Sequence, residues 1–136
     1  MIRTTKSVED YINPLFKLLH YPTSSPKWVA LRFMINISLS IKDKKYSVEI
    51  NNFDGQEYRL MQITGENKED EDFTTYYYKM LEVYDNISFK NKKEFEKRLE
   101  YHIYRGYSVL SISLKANSSI YEFLLQEFSL VEIPTN

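Results

Sequence analysis

The side chains able to do chemistry are few in this chain and poorly placed to act together. Its two histidines, His20 and His102, lie far apart with no ligand-spaced neighbours, so a histidine metal site is not expected. His102 falls in a helical stretch, where a hydrogen-bonded packing role is the ordinary one. Asp54 and Glu57 could chelate a divalent ion, but a turn carboxylate beside a solvated or capping one is the simpler reading. Asp70-Glu71-Asp72 lacks the spacing and glycine of a calcium loop and reads as solvated charge. There is no glycine-rich phosphate loop and no nucleophile elbow. With no cysteine, the chain has no thiolate ligand, no disulfide and no sulfur of its own to carry as a persulfide. We therefore expect no catalytic residue, no metal and no cofactor.

Cations offer more. Lys42, Lys44 and Lys45 form one group, joined by Lys6, Lys17 and Lys27 from the front of the chain. Lys90, Lys92, Lys93, Lys97 and Arg98 form a second, diluted by Glu94 and Glu96. Phosphate contact needs ammonium or guanidinium groups gathered on one surface. Any single lysine here is most simply part of a solvated face; as a group, the first set is the better phosphate-binding candidate. Arg32 differs in kind, because it lies in a stretch so apolar that it must find a partner or reach an edge. Asp54, Glu57 and Glu66 are its candidate ion-pair partners.

Charge limits the partners. Net charge is −1, which is not the footprint of a strongly basic DNA binder. Residues 1–65 hold 9 Lys+Arg against 6 Asp+Glu, and residues 66–136 hold 9 against 13. A nucleic-acid surface must then be a local patch, repeated if the protein oligomerises. At 136 residues, 43% hydrophobic and 15% aromatic, the chain suits one domain, 1–136, with a packed interior. No signal peptide or membrane-spanning run is visible, and the absence of cysteine suits a cytoplasmic setting.

The elements that would position these residues are mainly helical. A first helix carries Val8, Tyr11, Ile12, Leu15, Phe16 and Leu19 on one face, capped by Ser7 or, from Pro14 onward, by Asn13. Ser25-Pro26 opens a second, apolar almost all round and therefore central. Its second half, residues 35–42, alternates and could be strand, but the cap signals favour helix. Alternation at Tyr46, Val48 and Ile50, then Tyr58 and Leu60 around Asp54-Gly55, reads as a short β-hairpin over residues 46–64. An ordered loop pinned by its aromatics is the alternative. A third helix shows Phe73, Tyr77, Met80, Leu81 and Tyr84 inward and closes at Asp85-Asn86. A fourth starts near Asn91 with Phe95, Leu99 and Ile103 inward, and Gly106 either ends it or permits close packing within a longer helix. Val109, Leu110, Ile112 and Leu114 form a buried segment of open type. A last helix runs from about Ser119, with Ile120, Leu124, Phe128 and Val131 on one face.

Four short patterns, taken in order, carry a resemblance. They are Ser25-Pro26 leading to Arg32, Asp54-Gly55-Gln56-Glu57-Tyr58, Ile63-Thr64-Gly65-Glu66, and His102-Ile103-Tyr104-Arg105-Gly106. Together they resemble the DndE family of DNA sulfur-modification proteins over roughly residues 3–112. The resemblance implies a small, largely helical protein whose front half is similar to the helical part of ribbon-helix-helix DNA binders. It implies a non-catalytic role in DNA phosphorothioation, where sulfur replaces a non-bridging phosphate oxygen. Implied partners are the double-stranded DNA backbone, including nicked duplex, further copies of the chain, and the SMC-like ATPase and sulfurtransferase that do the chemistry. A protein-interaction scaffold that docks those partners without touching DNA is the competing expectation.

Overall fold

The computed structural model describes residues 1–116. The last helix anticipated from Ser119 lies outside them. Element order is β1 (Ile2–Arg3), α1 (Lys6–Leu18), α2 (Lys27–Ser40), β2 (Glu57–Tyr58), α3 (Leu60–Thr64), α4 (Thr74–Asp85) and α5 (Lys92–Ala116). The mainly helical fold is as expected.

Helix α1 forms because an apolar stripe repeats at helical spacing behind a good cap. Thr5, not Ser7, is that cap: its hydroxyl accepts the Val8 N–H at 3.1 Å. Val8, Ile12, Leu15 and Phe16 are buried. Pro14 sits inside the helix, on its exposed side, where water can satisfy the carbonyl its missing N–H leaves unpaired. Burying each large apolar side chain contributes about 1.5–3 kcal/mol.

Helix α2 is the centre of the molecule. Ala30, Leu31, Met34, Ile35 and Ile37 are buried, and its main partner is α5. Pro26 is the residue before the helix rather than its first position. The alternating stretch after Ile35 stays helical to Ser40, because Ile35, Ile37 and Ser38 are buried at helical spacing and the Trp28–Arg32–Asn36–Ser40 stripe reaches solvent, so burial outweighs β-propensity. Gly106 lies where α5 crosses α2. A Cβ there would stand 1.8 Å from the Met34 carbonyl oxygen, so close packing is the reason for glycine and α5 continues through it.

The hairpin is not formed as the alternation suggested. β2 pairs antiparallel with β1, with Ile2 opposite Tyr58 and Arg3 opposite Glu57. Residues 47–56 lead into β2 without pairing to it, which is the ordered-loop alternative. Gly55 is required for contact, not for a positive φ: a Cβ would lie 2.6 Å from the Thr5 carbonyl oxygen and 2.8 Å from that of Thr4. The positive-φ glycine is Gly65, at φ 80°, which closes α3.

Helix α4 ends on Asn86 at φ 55°, and Asn91 accepts the Glu94 N–H at the start of α5, both where local punctuation placed them. Phe95, Leu99 and Ile103 are buried as expected, as are Val109 and Leu110 further along the same helix. Two expectations for α4 fail. Tyr77 and Leu81 face the core, but Phe73 and Met80 are 46% and 37% exposed. Ile112 is likewise 65% exposed on α5.

Candidate nucleic-acid interface

The first lysine group sits on the turn that follows α2, and one buried arginine builds that turn. Arg105 is 1% exposed on α5. Its Nη1 donates to the Ser38 carbonyl at 2.6 Å and to Ser38 Oγ at 3.0 Å. Its Nε donates to the Tyr46 carbonyl at 2.9 Å and its Nη2 to that of Asp43 at 3.2 Å. No carboxylate is paired with it among the described residues. The negative end of the α2 dipole and three carbonyl oxygens stabilise the charge instead. One guanidinium thus ends α2 and grips residues 43 and 46, on either side of Lys44 and Lys45.

Lys42, Lys44 and Lys45 are exposed and none forms an ion pair among the described residues. Lys44 Nζ lies 4.9 Å from the Tyr84 ring centroid. Asp43, the one carboxylate within the turn, accepts the Lys45 N–H at 3.0 Å. Of the other three lysines, Lys27 does not join them. Lys27 begins α2, about 20 Å along the axis from Lys42, and its Nζ is held by Glu9 at 3.1 Å. Lys6 stands at the start of α1, where Asp54 accepts its N–H at 2.7 Å. Lys17 lies in the last turn of α1.

The anticipated partners of Arg32 are elsewhere. Asp54 accepts the Lys6 N–H, Glu66 binds Lys92 at 2.9 Å, and Glu57 lies opposite Arg3 in the strand ladder. Arg32 instead donates from Nε to the Ile63 carbonyl at 2.6 Å, at the end of α3. Its guanidinium stacks 4.3 Å from the Trp28 ring and 5.4 Å from Phe73. A backbone carbonyl wins because α3 ends against α2 with its last C=O groups unpaired.

His102 is the centre of a second buried network. Its ring is 0% exposed, with Nδ1 2.7 Å from Ser38 Oγ and Nε2 2.7 Å from Asp85 Oδ2. Arg98 Nε donates to the same Asp85 oxygen at 2.7 Å. Burial pushes the His102 pKa down against the pull of Asp85, and Arg98 and Arg105 push the same way. Burial alone would raise the Asp85 pKa, but hydrogen bonds from His102 and Arg98 hold it well below the usual carboxylate range. Neutral imidazole satisfies every group: Nε2–H donates to Asp85, and Nδ1 accepts the Ser38 hydroxyl. Serine, histidine and aspartate in a row have the look of a hydrolytic relay. Here Ser38 Oγ also accepts Arg105, and Ser38 and His102 expose no surface. The arrangement locks α2, α4 and α5 together, in the packing role expected of His102.

The Asp54–Tyr58 segment does similar work at the other end of the molecule. Gly55 N–H donates to the Thr4 carbonyl, and Gln56 N–H to Thr4 Oγ1. The Tyr58 hydroxyl lies 2.9 Å from both Glu9 oxygens. These contacts clamp β1 and the start of α1. Among the described residues no cluster of three His, Asp or Glu residues is placed to hold a metal.

Sequence reasoning named His102 and quoted Arg105 only as part of a pattern. It missed Ser38, Asp85 and Glu9. The signal for Arg105 was available: residues 102, 105 and 109 follow a helical stripe beside the apolar one at 99, 103 and 110.

Arg32, Gly55, Tyr58, Gly65, His102, Arg105 and Gly106 of the four patterns thus make contacts or backbone turns that set the fold, and Arg105 also sets the lysine turn. A family model described as "DNA sulphur modification protein DndE" matches residues 1–118 of the chain. No curated protein and no solved structure matches it. On that match, which covers most of the chain and contains all four patterns, the protein belongs to the DndE family and is involved in DNA sulfur modification.

Proposed function

We propose that the protein is a non-catalytic accessory subunit that holds the DNA backbone through the turn carrying Lys42, Lys44 and Lys45. The observation that supports this is the pairing of three exposed, carboxylate-free ammonium groups with a buried guanidinium that fixes the turn beneath them. A fixed turn loses little conformational entropy when it meets phosphates. Contacts of this kind read charge and spacing, not bases. A near-neutral chain gains affinity by presenting the turn more than once, in a homo-oligomer, and by working beside the ATPase and sulfurtransferase on the same cytoplasmic DNA. A nick, where the backbone is more deformable, is the favoured duplex feature in this reading.

The test is charge reversal. Lys42→Glu, Lys44→Glu and Lys45→Glu together are expected to abolish binding to intact and nicked duplex while the circular dichroism spectrum stays unchanged. Unaltered binding would remove the turn from the account.

One observation favours a second reading, a scaffold that docks partner subunits. Met80, Val83 and Ile87 are 37%, 75% and 42% exposed along and just beyond α4, an apolar stripe of the sort that marks protein contacts. Capture of the partner subunits by a chain whose three lysines are reversed would support it.

A further inference from the structure

A groove between α2 and α4 is a surface feature that the lysine turn does not explain. At one end, Arg32 lies between the rings of Trp28 and Phe73. Its Nε is held by the Ile63 carbonyl, which fixes the plane of the fork. Nη1 and Nη2 have no partner among the described residues. They open towards a cavity of about 390 Å³ lined by Arg32, Asn36, Phe73, Tyr76 and Tyr77. That volume is of the size that takes a small organic ligand. A second hollow of about 170 Å³, lined by Arg32, Trp28, Phe73, Lys68 and Glu71, adjoins on the Trp28 side. Phe73 and Tyr76 are 46% and 57% exposed and Trp28 38%, so flat aromatic surface is offered to solvent around a pre-oriented cation.

Further along α4, Lys44 lies over Tyr84, whose hydroxyl donates to the Ile41 carbonyl just past the end of α2. Phe73 and Tyr84 are separated by about 16 Å of helix rise, which sets the spacing of the two cations. A stacked single strand covers that length in about five nucleotides, at roughly 3.4 Å each. Asp72 accepts the N–H groups of Asn67 and Thr74, Glu82 accepts that of Phe89, and Asp85 is bound by Arg98 and His102, while Glu71 stands with Lys68 at the Trp28 hollow.

We infer that this groove binds an unpaired stretch of nucleic acid. Arg32 takes one phosphate as a fork, Lys44 takes another about five nucleotides away, and bases stack on Tyr76, Phe73 and Trp28. Exposed aromatic rings around one cation, with a second cation about 16 Å along the same helix, match a strand of alternating phosphate and planar base. An acidic peptide would also satisfy the cations, but it supplies no regular partner for the rings around Arg32. The site is distinct from the duplex contact proposed above and goes beyond it, with Lys44 common to both.

The experiment uses a single-stranded DNA decamer carrying 2-aminopurine, with anisotropy and fluorescence read together, on the full chain. Tyr76→Ala is the first variant, because Tyr76 is exposed and its ring contact is with Tyr77 alone among the described residues. Arg32→Lys is the second; it keeps the charge and loses the fork. The wild type is expected to bind the decamer and quench the 2-aminopurine. Tyr76→Ala should weaken binding about tenfold or more and relieve the quench, while its binding to intact duplex stays at the wild-type level. Arg32→Lys should weaken decamer binding without changing its quench per bound molecule. Decamer affinity and quench that both survive Tyr76→Ala would overturn the inference. So would an acidic peptide of matched charge that binds more tightly than the decamer. Should charge reversal of the lysine turn leave duplex binding intact while Tyr76→Ala still loses the decamer, the duplex reading fails and this one stands.

Discussion

Replacing Arg105 by methionine removes the guanidinium and keeps a side chain of similar reach in the core. Four hydrogen bonds are lost, to the carbonyl oxygens of Ser38, Asp43 and Tyr46 and to Ser38 Oγ. The bond to the Ser38 carbonyl is buried and charge-assisted, and such a bond contributes about 1.5–3 kcal/mol net. The bonds to Asp43 and Tyr46 are partly wet and each contribute about 0.5–1 kcal/mol. Relief from burying a charge offsets part of this. The expected net loss is about 3 kcal/mol, a large share of a typical total of roughly 5–15 kcal/mol. Urea denaturation followed by circular dichroism should show a lower midpoint at unchanged slope, and thermal unfolding should shift by about 10 °C. Duplex affinity should fall as well, although all three lysines remain, because nothing then holds residues 43 and 46. A stability change under about 0.5 kcal/mol would refute the reasoning that this arginine closes α2 and builds the turn.

Other perturbations follow from the same geometry. Gly106→Ala puts a methyl group into the Met34 carbonyl and should cost about 3 kcal/mol or abolish folding; a folded variant of wild-type stability by urea titration would contradict the crossing described here. Gly55→Ala should loosen the β1 and α1 clamp without unfolding the domain, seen as faster amide exchange at Gly55 and Gln56, whose N–H groups bond Thr4; unchanged exchange would count against it. For pH, the folded His102 pKa lies below its ordinary 6.5, so the unfolded chain takes up the proton first and stability falls as pH drops below about 6.5. The Asp85 contribution has the same sign but is present above the ordinary 3.8 and is lost only as pH falls through its lower folded value. His102→Gln should therefore be less stable at pH 7 yet lose less between pH 7 and pH 5 than the wild type; parallel pH profiles would contradict the neutral, buried imidazole.

Local signals were legible wherever the cause was local. Asn86 and Asn91 marked helix ends because a positive φ and a side-chain cap are properties of single positions. Gly106 was readable as a close contact because an apolar stripe continues on both sides of it. The hairpin was misread because alternation in residues 46–50 reports side-chain anchoring, such as Tyr46 on Ser108 at 2.8 Å, and not a strand partner. The partner of β2 is Ile2–Arg3, more than fifty residues away, and no local pattern encodes that pairing. Phe73 and Met80 were placed inside because hydrophobicity alone does not say which face of a short helix meets a neighbour. Arg32 was expected to seek a carboxylate because charges are visible in a sequence, whereas the unpaired carbonyls at the end of α3 are not. Lys27 parted from Lys42 for a similar reason: α2 is a single helix, so the two stand at opposite ends of it.

An electrostatic clamp on DNA phosphates at the Lys42–Lys45 turn has a direct thermodynamic signature. It is tested most directly by the dependence of duplex affinity on salt, measured on the wild type and on the chain with Lys42, Lys44 and Lys45 changed to glutamine. Each phosphate contact contributes a slope of about −0.9 in log K against log salt. The account predicts that the triple variant binds more weakly at low salt with a slope shallower by about 2.7 per bound turn. Equal slopes for the two proteins would contradict it.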